Sequence, residues 1–161
     1  MAILALLLLS AVTSQNSIFS NAVAVFVRPS ENVTCPSQPC LTLNDYAREP
    51  GQYFLDNSTF LFLPGIHHLD YQLRVENVSN VNFFVFNEEK DNTVKVFLSP
   101  LVTIIWMNCN NIEISNLVFV PHSLIAVRTS FSALLFYKTS GFLSKLTLFG
   151  NGVIIIAISF R

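Results

Sequence analysis

The apolar residues of this chain fall into short runs separated by turn residues, a pattern typical of β-strands. From residue 60 onward the runs FLFL, IHHLDYQLRV, VKVFL, LVTIIW and VIIIAISF follow one another without a helical period. The pair Pro64-Gly65 ends the first run, and a polar corner divides the second into two. This region therefore predicts a series of short strands, the last of which includes three consecutive isoleucines.

The segment LTLNDYAREPG, which precedes this region, has a helical period instead. Thr42 lies one helical turn before Asp45, which resembles a capping box with Asp in place of Glu. Three apolar residues share one face of the predicted helix: Leu43, Tyr46 and Ala47. The Pro-Gly pair at 50–51 is a stop signal. We predict a short helix here, preceded by a strand over AVAVFV and by the loop CPSQPC.

One short phrase occurs twice along the chain. VENVSNVNFFVF (75–86) and WMNCNNIEISNLVF (106–119) place Asn at the same two positions between apolar residues. A third, degraded copy follows, in which LSKLTLF (143–149) corresponds to ISNLVFV (114–120) and Ser140 and Lys138 replace the two asparagines. A repeat of about thirty residues with strands and no helix is typical of a β-solenoid.

Stacking of successive coils explains why Asn recurs. Equivalent positions of a solenoid lie about 4.8 Å apart, Asn adopts the left-handed backbone conformation readily, and stacked amides hydrogen-bond to one another. We therefore expect amide ladders inside the solenoid wall. The predicted stacked pairs are Asn77 with Asn108, Asn80 with Asn111, Val81 with Ile112 and Phe83 with Ile114. The alternative is a β-sandwich whose Asn-rich turns recur by coincidence.

With FLFLPGIHHLDYQLRVENVSNVNFFVF and WMNCNNIEISNLVF, the chain resembles right-handed parallel β-helix proteins of the pectin-lyase-like superfamily. CPSQPCLTLNDYA and the FLPG turn resemble the N-terminal region of a large group of secreted animal proteins, mostly without assigned activity. The likeness covers roughly residues 25 to 150. It implies an all-β, right-handed parallel β-helix with a short N-terminal capping helix. Because members of the group are longer, we expect this chain to be an incomplete fragment.

The N-terminus predicts secretion. Residues 3–9 are an apolar run too short to span a bilayer, and Val12 and Ser14 suit a cleavage site before Gln15. We expect a signal peptide over 1–14, then a strand, Cys loop and capping helix over 15–59. We expect β-helix coils over 60–161, truncated at the C-terminus. The predicted location is extracellular, as a secreted protein or as the ectodomain of a longer membrane protein.

Composition narrows the classes of partner. The 161 residues are 52% hydrophobic and 12% charged, with a net charge of −1, whereas about 25% of an ordinary soluble domain is charged. This balance gives no electrostatic reason to expect binding to nucleic acid or to an anionic membrane. Membrane attachment is expected only if a longer parent chain contributes a span.

Cysteines and glycosylation sequons are the modification sites that the sequence offers. In an oxidising compartment Cys35 and Cys40 are expected to form a disulfide. Cys109 is then either a buried thiol or the partner of a cysteine absent from this chain. Sequons begin at Asn32, Asn57 and Asn77. Asn77 is the least expected of the three to carry a glycan, because its place in the ladder conflicts with modification.

The sequence predicts no catalytic, cofactor-binding or metal-binding residue. His67 and His68 point to opposite faces of a strand, and His122 has no evident partner in the sequence. The charged residues that could share a face or a loop favour solvated surfaces: Asp70, Arg74 and Glu76, then Glu88, Glu89, Lys90 and Asp91. The sequence contains no GxSxG, HExxH, P-loop or EF-hand motif.

These observations favour a secreted, non-catalytic β-helix domain for extracellular adhesion or recognition, with glycans or proteins as partners. We expect no cofactor. One alternative is the N-terminal part of a carbohydrate-active, pectin-lyase-like enzyme whose catalytic coils lie outside this chain. Another is a truncated product without an independent function.

Overall fold

A computed structural model describes residues 23–87, 93–121, 131–148 and 153–158. Within these residues the chain is mostly β, as predicted, and its strands pair in parallel. The predicted signal peptide, the charged residues 88–91 and His122 lie outside the described residues.

The described elements follow in chain order: β1 (Val23–Arg28), β2 (Cys40–Thr42), α1 (Leu43–Arg48), α2 (Pro50–Tyr53), β3 (Ser58–Phe62), β4 (Gly65–Leu69), β5 (Leu73–Glu76), β6 (Ser79–Val85), β7 (Val94–Leu98), β8 (Ile104–Met107), β9 (Asn110–Ser115), β10 (Leu117–Pro121), β11 (Phe131–Tyr137), β12 (Gly141–Ser144), β13 (Thr147–Leu148) and β14 (Val153–Ile158).

The strands of the described residues form three parallel sheets. Sheet A has the order β12-β9-β6-β3-β1-β2, sheet B the order β13-β10-β7-β4, and sheet C the order β14-β11-β8-β5. From β3 onward the chain visits sheets A, B and C in turn, so that each strand pairs with the third strand after it. We call one passage through the three sheets a circuit; the first circuit is β3 to β5.

The register between circuits brings the repeated phrases together. Val81 pairs with Ile112 and Phe83 with Ile114 in sheet A, which are the apolar pairs that the repeat predicts. In the next circuit Gly141 pairs with Ile112. Because parallel strands lie about 4.8 Å apart, matching residues of successive circuits occupy neighbouring positions on the same face.

The core lies between the sheets and is built from the inward residues of each strand. Burial alternates along β3 and β5, as expected for strands with one face inside. A run of aromatic rings fills the centre, with ring centroids of Phe60 and Phe83 5.1 Å apart and those of Phe83 and Trp106 5.4 Å apart. These three side chains are fully buried.

The predicted helix packs against the first circuit. Thr42 and Asp45 form the capping box reciprocally, and the predicted face is buried. The Tyr46 hydroxyl donates to the Phe26 carbonyl at 2.9 Å, and burial raises the pKa of this phenol to about 12. The structure differs after Arg48, where the expected stop at Pro50 begins α2 instead. Proline suits a first helical turn because no backbone N–H is needed there.

Candidate functional site

Asparagine side chains form two hydrogen-bonded columns at the corner between sheets C and A. In the first column Asn80 Nδ2 donates to Asn57 Oδ1 at 2.9 Å, and Asn111 Nδ2 donates to Asn80 Oδ1 at 2.8 Å. In the second column Asn108 Nδ2 donates to Asn77 Oδ1 at 3.4 Å. Each amide nitrogen therefore points to the oxygen of the preceding circuit. The ladder partners predicted from the repeat are the residues that the structure joins.

The backbone explains the choice of Asn at this corner. All five column residues have left-handed φ angles: Asn57 63°, Asn80 58°, Asn111 53°, Asn77 56° and Asn108 52°. The left-handed conformation costs most residues about 1–2 kcal/mol, and it costs Asn less. The same turn is made at the same point of successive circuits, so the same residue type recurs in the sequence.

The columns lie on the surface, and the expectation that they stack inside the wall is wrong. Asn77, Asn80, Asn108 and Asn111 are all exposed. The residue that follows the first Asn of each corner points inward instead, and Cys109 there is fully buried. A left-handed residue breaks the alternation of a strand, and its side chain leaves the wall on the solvent side.

The next circuit keeps the corner but replaces its asparagines. Ser140 Oγ accepts from the Asn111 backbone N–H at 3.1 Å, and Lys138 keeps a left-handed φ of 48°. Thr139 takes the inward position, 1% exposed, and its hydroxyl donates to the Trp106 carbonyl at 3.2 Å. The backbone turn thus continues where the amide columns stop.

The sequon asparagines occupy two kinds of position. Asn32 is exposed in the loop between β1 and β2. Asn57 and Asn77 are the first members, or feet, of the two columns. The repeated phrases do not include Asn57, whereas the structure makes it a column residue.

The predicted Cys35–Cys40 disulfide is present. Cys109 is a buried free thiol whose Sγ lies 3.2 Å from the Met107 carbonyl and 3.6 Å from the Val75 carbonyl. Burial raises the pKa of this thiol, which disfavours the thiolate that a nucleophile requires. Of the two interpretations that the sequence left open, this arrangement matches the buried thiol.

The two adjacent histidines point to opposite faces of β4. His67 is buried with Nε2 2.8 Å from the Leu63 carbonyl oxygen, and burial lowers its pKa to about 4. His68 is exposed, with its ring stacked on Phe97 at 5.8 Å between centroids. The pair therefore does not converge on one ion.

The charged residues around β5 do not form one site. Arg74 and Glu76 form an ion pair on the exposed side of the strand. Asp70 accepts from Asn44 Nδ2 at 2.7 Å and from the Ser99 hydroxyl. Its contacts join α1 to the corner between sheets B and C, which is a structural role.

A shallow groove of about 670 Å³, largely open to solvent, lies on the outer face of sheet A near the ends of its strands. Its lining residues are Leu61, Phe84, Val85, Phe86, Asn87, Glu113, Ser115, Asn116, Ser144 and Lys145. Leu61 and Phe84 are register partners and both are half-buried, so they form an apolar floor. Glu113 and Lys145 place one charge of each sign in the lining.

The rim of the groove is a second left-handed corner. Asn87, Asn116 and Lys145 have φ angles of 54°, 59° and 47°. None of these three residues was predicted from the sequence as part of a corner. A signal was available, because Asn116 and Lys145 occupy matching positions in the quoted phrases ISNLVFV and LSKLTLF.

The disulfide loop forms an apolar neighbour of the groove. Cys35 and Val33 pack on a small outer cluster that includes Phe26 and the lining residues Leu61 and Phe86. The rings of Phe26 and Phe86 meet edge to face at 5.1 Å. The loop therefore supports the end of the groove nearest the N-terminal strands.

Clusters of metal ligands and membrane-spanning helices are both absent from the described residues. Over these ranges no group of three or more His, Cys, Asp or Glu side chains is arranged to hold a metal ion. No helix within them is long and apolar enough to cross a membrane. Comparisons of the chain with protein families, with curated proteins and with solved structures find no match.

Proposed function

We propose that the chain is a right-handed parallel β-helix domain of the pectin-lyase-like kind that acts outside the cell by binding a glycan. The observation that carries this proposal is the open groove on the outer face of sheet A. The proposed role is recognition without turnover.

The β-helix part of the proposal is supported by strand order. From β3 onward each sheet takes every third strand, and the pairings among the described strands are all parallel. A β-sandwich built from hairpins would instead contain antiparallel neighbours.

The extracellular part is supported by the disulfide and by the leader-like N-terminus. Disulfides persist in oxidising compartments, and Cys35–Cys40 joins the loop that borders the groove. A secreted protein and the ectodomain of a longer membrane protein both fit this location.

The glycan part is supported by the chemistry of the groove. Half-buried Leu61, Phe84 and Phe86 offer apolar surface to the C–H face of a sugar ring. Glu113 and Lys145 add polar groups that can bond sugar hydroxyls. A few polar groups around an apolar floor are typical of small-ligand sites.

The same lining favours binding over hydrolysis. Glycoside hydrolysis usually needs two carboxyl groups about 5–10 Å apart on either side of the bond. Among the described residues that line the groove, Glu113 is the single acid. An enzyme with its acids in further coils is the alternative, and it predicts turnover only when those coils are present.

A glycan array probed with the secreted chain tests this proposal, followed by calorimetry on the best glycan. Phe84→Ala should weaken binding about tenfold or more, because it removes the apolar floor. Phe97→Ala is the matched control, since Phe97 is a half-buried outward aromatic on sheet B. Equal losses in both variants, an array without a bound glycan, or cleavage of the bound glycan would contradict the proposal.

A further inference from the structure

The amide nitrogen at the foot of each asparagine column is unused. Within a column each Nδ2 donates to the Oδ1 of the preceding circuit. Asn57 and Asn77 have no member before them, and among the described residues their Nδ2 atoms have no hydrogen-bond acceptor. Both feet take part in the columns through Oδ1 alone.

These two feet are also the column residues that begin a sequon. Asn57 is followed by Ser58-Thr59, and Asn77 by Val78-Ser79. The upper members carry a different residue two positions on: Asn82 after Asn80, Asn110 after Asn108, and Glu113 after Asn111. The acceptor motif and the free nitrogen thus coincide at both feet and are absent together above them.

An N-linked glycan is attached through Nδ2 and leaves the amide oxygen in place. At a foot, the Oδ1 lone pairs can still accept the bond from the circuit above. At an upper member the modified Nδ2 keeps one hydrogen, but the sugar is attached at the atom that contacts the preceding Asn, 3.4 Å from Asn77 Oδ1 in the case of Asn108, and crowds that contact. Attachment is therefore compatible with the ladder at Asn57 and Asn77 and disruptive at Asn108.

Both feet present surface to solvent. Asn77 is exposed. Asn57 is half-buried, but its Nδ2 is not among the buried unpaired polar atoms of the described residues.

We propose that Asn57 and Asn77 both carry N-linked glycans in the folded protein, with the asparagine columns intact above them. This inference rests on the extracellular location proposed above. It reverses the sequence-based expectation that Asn77 is bare, because the conflict assumed there disappears when the modified nitrogen takes no part in the ladder.

The position of these glycans keeps the groove free. Asn57 immediately precedes β3, and Leu61 lies four residues further along that strand in the groove floor. At about 3.3 Å per residue the two are separated by roughly 13 Å. The feet are at the start of the sheet A strands and the groove is toward their ends.

The first test is glycan mapping on the full chain expressed in a secreting animal cell. Enzymatic deglycosylation in ¹⁸O-labelled water marks each formerly modified Asn for mass spectrometry. We expect the label at both Asn57 and Asn77. A secreted chain that is modified at Asn32 but bare at either foot would overturn this inference alone. An unmodified chain with intact Met1 would overturn the location on which it rests.

A variant with a relocated sequon supplies the matched test. Asn110→Thr creates an Asn-Cys-Thr sequon that begins at Asn108, an upper column member, and Asn110→Ala changes the same residue without creating a sequon. Enzymatic removal of the glycans should leave the thermal midpoint of the wild-type protein unchanged. The Asn108-glycosylated form should be depleted from the folded secreted fraction or melt about 2–4 °C lower. Efficient glycosylation at Asn108 with an unchanged midpoint would refute the geometric argument.

Discussion

Two corners of this molecule turn the chain in different ways. The corner from sheet C to sheet A spans residues 77–78 and then 108–109, with left-handed asparagines at matching positions. The corner from sheet B to sheet C spans 70–72 and then 99–103. We call the first the asparagine corner and the second the variable corner.

The difference shows where the fold constrains the sequence. At the asparagine corner successive circuits turn at the same point through a left-handed residue, and the first two passages both use Asn for it. At the variable corner the length changes and no residue recurs. Leu101 there has a left-handed φ of 67° and an 86% exposed side chain, a poor choice for that conformation.

Gly141, the first residue of β12, follows the matching corner of the next circuit and gives the largest expected effect. A Cβ built on this residue would lie 2.0 Å from the Ile112 carbonyl oxygen. Gly141→Ala must therefore move backbone, and we expect a loss of about 3 kcal/mol in unfolding free energy. Chemical denaturation measures it. Gly51→Ala in α2, where a Cβ meets nothing within 4 Å, is the control and should be neutral or stabilising. Equal effects would remove the steric argument.

Successive circuits also differ in the inward-facing residues of sheet B. His67 pairs with Val96, and Val96 with Phe119, so the first circuit alone in this column has an imidazole inside. Its pKa is about 4 when folded and about 6.5 when unfolded. The unfolded chain therefore gains a proton first as the pH falls.

The free energy of unfolding should accordingly fall between pH 6.5 and about 4, by about 3 kcal/mol. Urea denaturation across this range measures the slope for the wild type and for His67→Val. The stability of His67→Val should change much less over this pH range, because the variant has no group to protonate at this position. Parallel pH profiles for the two proteins would show that His67 is not the cause.

Asn108 separates the backbone and side-chain contributions of the asparagine corner. Asn108→Ala should cost about 1–2 kcal/mol, mostly from the left-handed backbone. Glycine adopts the left-handed conformation without steric strain, so Asn108→Gly removes only the exposed side-chain hydrogen bond to Asn77. We expect it to lower the free energy of unfolding by about 0.5 kcal/mol. Thermal unfolding of both variants distinguishes the backbone contribution from that of the side-chain hydrogen bond. A glycine variant as unstable as the alanine variant would assign the whole effect to the ladder bond.

The variable corner gives the smallest effect and the opposite sign. Leu101→Gly relieves a left-handed Leu whose side chain is mostly in solvent. We expect a net gain of up to about 1 kcal/mol, reduced by the greater freedom of glycine in the unfolded chain. A destabilised variant would indicate that the Leu101 side chain contributes packing at this corner.

The repeat predicted the register of sheet A because its two phrases align residue by residue. It did not predict Asn57 as a column member, since the chain has Phe54 at the position of the first Asn of the phrase. The direction of the asparagine side chains was also wrong, because the left-handed turn that Asn permits reverses the alternation of the strand.

The groove could not be predicted from the sequence, because its lining residues come together only in the folded structure. Leu61, Phe84 and Glu113 lie on different strands, and their convergence follows from the pairings of β3, β6 and β9. Burial patterns of single strands predict which residues face outward but not where three strand ends leave space. Likewise, the capping box was readable from local residues, whereas the second helix after Pro50 was not.

The central claim is that successive circuits stack as parallel strands in the register of the repeated phrase. Inter-strand nuclear Overhauser contacts between backbone protons test it most directly. The account predicts contacts of Val81 with Ile112, of Phe83 with Ile114, and of Ile112 with Gly141, all advancing in the same direction along both strands. Contacts that advance along one strand while retreating along the other, as in the hairpins of a sandwich, would contradict it.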